Sequence, residues 1–153
     1  MTQIDPPTRD LTQETIERFW ETFPAIWNQI KANIRKIALE QFDISVEQFH
    51  ILRHISKGIA SVSELAEVKQ ISRSGVSQAV DVLVERGLIS RRQDAGDRRF
   101  IQLELTASGA EMLQTIGQTN RAWMAEKMTR LSPDALRLIS QTLEILDQTF
   151  KSG

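Results

Sequence analysis

Apolar residues between positions 12 and 41 return at Phe19, Phe23, Ile26, Trp27, Ile30, Ile34, Ile37 and Ala38, mostly in steps of three and four. That spacing keeps them on one face of a helix and predicts a long one. Pro24 falls inside the run without a backbone donor, which predicts a kink or a break near Phe23. A second helix is expected over 45–56, where Phe49, Leu52 and Ile55 share a face. Ser61 and Glu64 then have the spacing of a capping box, predicting a short helix to about Lys69. Ile71, Ser72 and Val76 take the staple and N-cap positions of another helix over 73–85. On it Val76, Val80, Leu83 and Val84 form the apolar stripe, and Arg73, Ser74, Ser77, Gln78 and Asp81 turn outward. Gly87 stands just past its end, where a left-handed cap residue belongs.

The period then drops to two. Ile101, Leu103 and Leu105 alternate with polar residues, so 100–105 pairs with 88–92 as a β-hairpin around the turn-rich tip 94–99. Helical spacing returns from Thr106 through Leu113, Ile116 and Trp123 to about Arg130. Ser132, Pro133 and Asp134 open a last helix, on which Leu136, Ile139, Leu143, Leu146 and Phe150 step by three, four, three and four. The expected architecture is mainly α with a small β-hairpin. A tail over 1–11 precedes one domain over 12–153, whose central lobe spans about 45–105. Helices over about 12–41 and 106–151 flank that lobe.

At 153 residues and 41% hydrophobic side chains, the chain can bury one core. It has no cysteine, which removes disulfides, thiolate metal sites and thiol redox chemistry, and the cytoplasm is the expected compartment. Residues 1–10 lack the basic and apolar blocks of a secretory signal, and no apolar run reaches membrane-spanning length, so no membrane partner is expected. The net charge is −1, so any contact with nucleic acid falls on a local basic patch rather than on bulk attraction.

The order of elements supplies that patch. Two short helices with a tight turn between them, the second presenting small polar groups, and then a hairpin with a basic tip, specify a winged helix-turn-helix. Small or flexible side chains near the start of the second helix let its backbone approach the major groove of double-stranded DNA. Arg73, Ser74, Ser77 and Gln78 carry the hydroxyl, amide and guanidinium groups that read base edges or bind phosphate. Arg98 and Arg99 at the narrow, glycine-containing tip suit a minor groove, where negative potential concentrates. An ordinary helical pair with solvated charges is the bland alternative, set against the agreement of caps, staple, spacing and wing.

These residues resemble the MarR family of transcription regulators. The run 63–66, Ser-Glu-Leu-Ala, is similar to the family's first motif helix, and 76–89 to its recognition helix entering the first wing strand. Asp97, Arg98 and Arg99, followed by Leu103-Glu104-Leu105-Thr106, match the wing signature, and the likeness extends over nearly the whole chain. The resemblance implies that Asp97 orders the wing by pairing with a nearby arginine, while Arg98 or Arg99 reaches the minor groove. It also implies a homodimer, with a small aromatic or anionic effector bound between the dimer helices and the lobe. Four positions depart from the pattern. Lys69 and Gln70 replace an apolar residue and a glycine, and Gln78 and Val82 stand where a basic residue is frequent.

Trp20, Phe23, Trp27 and His50 are the candidates for an effector pocket; most of the large aromatics equally suit a dimer core. His50 and His54, four apart on one helix, could face a metal, but without cysteine or a second histidine cluster no metal or cofactor is assigned. No phosphate loop, nucleophile elbow or zinc-protease motif is present, so no enzyme is expected. The expected function is sequence-specific regulation of transcription, with repression released by an effector. The competing function is a winged helix that binds protein instead of DNA.

Overall fold

The computed structural model describes residues 10–93, 96 and 101–151. Helix α1 (Leu11–Phe42) is capped by the Asp10 carboxylate, which accepts from the Thr12 amide at 3.1 Å. It runs unbroken through Pro24, so the expected break is absent. Proline removes one hydrogen bond, to the Trp20 carbonyl, and intact turns on both sides carry the helix across. Trp20 and Phe23 are both exposed there, so water can serve the carbonyl left over.

Helix α2 (Val46–Ser56) begins with a capping box in which Ser45 and Gln48 each satisfy the other's amide, at 3.1 and 2.9 Å. Ser61 caps α3 (Val62–Lys69), and its partner Glu64 reaches one residue further back than expected, accepting from the Ala60 amide at 3.1 Å. Gln70 ends α3 at φ 53°, a left-handed conformation that glycine adopts more cheaply. Ser72 caps α4 (Arg73–Glu85) by accepting from the Gly75 amide. Gly87, at φ 70°, ends it in a Schellman arrangement, with Gly87 donating to Val84 and Leu88 to Leu83, both at 2.9 Å.

Strands β1 (Ile89–Gln93) and β2 (Ile101–Leu105) pair antiparallel, Ile89 opposite Leu105 and Gln93 opposite Ile101. The outer edge of β2 is also tied down, because the Leu103 amide donates to the Ala60 carbonyl at 2.7 Å. The wing residues Asp97, Arg98 and Arg99 lie outside the described residues. Helix α5 (Ala107–Met128) starts from a Thr106 cap, and α6 (Pro133–Lys151) has proline at its first position.

Helices α2, α3 and α4 and the hairpin close around Ile51, Leu52, Leu65, Val76, Val80, Leu83, Ile89 and Leu103, with Ile44 and Ile116 completing the core from the flanks. α1 packs on α5 and α2. One polar link crosses the α1–α5 seam, where the Asn33 amide donates to the buried Asn120 side chain at 2.9 Å. α6 buries no residue, and its main aromatic contact is Phe150 over Phe19, ring centres 6.4 Å apart.

Candidate nucleic-acid interface

The buried stripe of α4 anchors it to the lobe through Val76, Val80 and Leu83, which leaves the opposite face outside. Arg73, Ser74 and Gln78 are exposed there and Ser77 is half-buried, so four of the candidate readers share the N-terminal half of one helix. Gly75 lies among them and keeps the backbone bare.

A groove of about 490 Å³ opens beside this face, lined by Ser61, Ser63, Ser77 and Arg91 over a floor of Ile101 and Leu103. Arg91 pairs with Asp81, joining the hairpin to α4 by a charge-assisted bond. Sequence reasoning left Arg91 and Ser61 out of the interface. The available signal was Asp81, an acid on an outward face that otherwise favours DNA and that therefore needs a cation nearby.

A second concavity, of about 280 Å³, lies between α1 and α2. Trp27, Lys31, Ile34 and Arg35 form its α1 wall, and Phe49, His50 and Arg53 its α2 wall. Its lining includes three side chains with fixed positive charge and no carboxylate, while two aromatic rings make it apolar. Trp27 and His50 are thus brought together. Trp20 and Phe23 stand further along α1 outside this lining, Phe23 stacked on Phe19 with ring centres 5.0 Å apart and Trp20 edge-on to the same ring.

His50 and His54 are both held below the ordinary imidazole value of 6.5, first by desolvation and then by the Lys69 ammonium. Lys69 is almost covered, its side chain 9% exposed, and it pairs with Glu47 at 3.1 Å. An ammonium beside two imidazoles repels a further cation. Among the described residues no three histidines or carboxylates are placed to hold a metal.

Residues 42–99 match the model of the MarR family. YhbI of Bacillus subtilis (strain 168), described as an uncharacterized HTH-type transcriptional regulator, is 33% identical over 101 residues, which make up 65% of this chain and 65% of that relative.

The winged-helix part of the chain is similar to the MarR family.

The transcriptional regulator Tm0710 of Thermotoga maritima superposes with a TM-score of 0.82 at 24% identity, covering 89% of this chain and 96% of that one. A MepR mutant of S. aureus bound to an oligodeoxyribonucleotide superposes with a TM-score of 0.68 at 23% identity, over 86% of this chain and 97% of that one. Both likenesses establish the MarR winged-helix fold. The relatives named are regulators and not enzymes. No described helix of the chain is long and apolar enough to cross a membrane.

Proposed function

We propose that this chain is a sequence-specific, double-stranded-DNA-binding regulator that acts as a homodimer on a pseudo-palindromic operator. The observation that carries the reading is the outer face of α4, where Arg73, Ser74, Ser77 and Gln78 stand together beside a groove that ends at the hairpin. Serine and glutamine at the start of such a helix offer donors and acceptors to base edges, and Arg73 offers a bidentate donor to guanine or phosphate. Asp97, Arg98 and Arg99 extend the contact at the wing, the two arginines towards the adjacent minor groove and the aspartate as the group that orders them. The two-fold symmetry of the dimer places two α4 helices in successive major grooves and so sets the spacing of the half-sites.

Regulation follows from the α1–α2 cavity. Its fixed cations and aromatic walls suit a small aromatic anion, and such a ligand would bear on both the dimer helix and the lobe. Bound there, it shifts the distance between the two lobes and releases the operator, which makes the protein a ligand-responsive repressor. Release requires only that the ligand prefer the wider or narrower state.

Selection of bound duplexes from a random pool tests the reading. Enrichment of an inverted repeat is expected, and Gln78→Ala should change the preferred base at one or two positions per half-site. Arg99→Ala should weaken all sequences and lower the salt slope by about one phosphate contact. A pool that shows no enrichment would return the chain to the protein-binding class of winged helices.

A further inference from the structure

We infer that Arg86 is a positioning residue that locks the recognition helix to the end of the dimer helix and thereby sets the half-site spacing the protein accepts. Its guanidinium donates from one nitrogen to the Asp43 carbonyl at 2.7 Å and from the other to the Phe42 carbonyl at 2.6 Å. Those carbonyls end α1. The last turn of any helix leaves carbonyls without partners. Here the Asp43 amide serves Leu39 and the Ile44 amide serves Ala38, while Phe42 and Asp43 are served by Arg86.

The charges require such a link. The last turn of α1 contains no basic residue, and neither does that of α4, whose C-cap is Arg86 itself. One residue therefore ends α4 with its backbone and sets its guanidinium at the negative end of α1. Asp43 adds a carboxylate at the end of α1, in a left-handed conformation at φ 51°. Without Arg86 that end holds only negative charge.

The link also fixes direction. A planar fork bonded to two consecutive carbonyls restrains orientation as well as distance, which a point charge does not. The main packing partners of α1 are α5 and α2, and those of α4 are α3, α2 and β1, so Arg86 ties together two helices that are not each other's main packing partners. Arg86 is at one end of α4 and the reading residues are at the other. Helix α4 contains 13 residues. Its length is therefore about 20 Å, and a swing of about 10° at the fork displaces Arg73 by about 3.4 Å, the rise of one base pair. Small freedom at Arg86 becomes one base pair of tolerance in the operator.

This inference rests on the DNA-binding dimer proposed above. The test is selection from pools in which two copies of the enriched half-site are separated by a randomised number of base pairs, using the full chain, Arg86→Gln and Arg86→Lys. The unchanged chain should prefer one spacing over its neighbours by about tenfold or more, and Arg86→Gln should reduce that to about threefold or less with the half-site consensus unchanged. Arg86→Lys keeps the charge and loses the fork, so it should fall between them, and it carries the test if the glutamine variant does not fold. Either folded variant with the unchanged spacing preference overturns the role of Arg86 while leaving the DNA-binding reading intact. Failure of the unchanged chain to enrich any half-site overturns both.

Discussion

The central lobe and the outer helices treat their apolar residues in opposite ways. In the lobe, Ile51, Leu52, Leu65, Val76, Val80 and Leu83 are fully enclosed by elements that follow one another directly along the chain. On α6, Leu136, Leu138, Leu143 and Ile145 remain 40–64% exposed, and on α1 Trp20 and Ile26 are more than half exposed. The periodic pattern along the chain is equally clear in both regions. What differs is whether the chain itself supplies a cover: it does for the lobe, with help from α1 and α5, and it does not for α6. The homodimer proposed above would supply the missing cover, since a two-fold axis lets one apolar stripe cover its own duplicate.

The strongest way to break this contrast is to charge the open face. Ile139→Asp combined with Leu143→Asp should raise the dimer dissociation constant by at least about 100-fold, because each large apolar side chain withdrawn from water contributes roughly 1.5–3 kcal/mol. Sedimentation at micromolar concentration reads the outcome, and an unchanged chain that already runs as a monomer removes the contrast altogether. An effect of similar size or smaller is expected where the lobe meets the open region. Gly109 opens α5 against the backbone of Leu88, and an added Cβ would fall inside contact with the Leu88 carbonyl. Gly109→Ala should cost about 2–4 kcal/mol in urea unfolding, since backbone and not a flexible side chain has to move. A loss under about 0.5 kcal/mol would mean that lobe and α5 are only loosely joined.

The smallest effect is expected at the cavity between the regions. His50 and His54 are depressed below 6.5 by desolvation and by Lys69, with Arg53 adding to it, and Glu47 opposes the shift. Lys31 and Arg35 of α1 line the same cavity as His50. The unfolded chain therefore takes up protons first as pH falls through 6.5. Stability from this source is complete above that value, declines below it, and is gone beneath the folded-state values. His50→Gln should flatten part of the decline between about pH 7.5 and about pH 5 in denaturation midpoints, and a variant with the unchanged pH profile would show that His50 is not the group responsible.

What could be read from the chain alone was local. Ser61, Ser72, Thr106 and Gly87 all act close to the helix end each one marks, so their positions carried the element boundaries directly. Of the kink or break expected at Pro24, the break is absent because a long helix absorbs the cost of one hydrogen bond. The links that orient the pieces were not legible. Arg86 to Phe42, Asn33 to Asn120, Leu103 to Ala60 and Arg91 to Asp81 join residues 10 to 87 positions apart, and a periodic pattern states which face is apolar but not which side chain it meets. The candidate pocket shows the same limit: one stripe of α1 contains Trp27 and Phe23, yet only Trp27 is level with α2. Along α4 the reading was fuller, since the apolar stripe alone decides which side chains turn outward.

Thr106 joins three elements by its own atoms. Its amide donates to Leu88 at 3.1 Å, its hydroxyl donates to Gly87 at 2.5 Å, and the same oxygen accepts from Gly109 at 3.1 Å. The end of α4, the open end of the hairpin and the first turn of α5 therefore cannot fray one at a time. In hydrogen–deuterium exchange the amides of Leu88, Thr106 and Gly109 should lose protection together, as one cooperative unit, at a free energy close to that of opening the whole lobe.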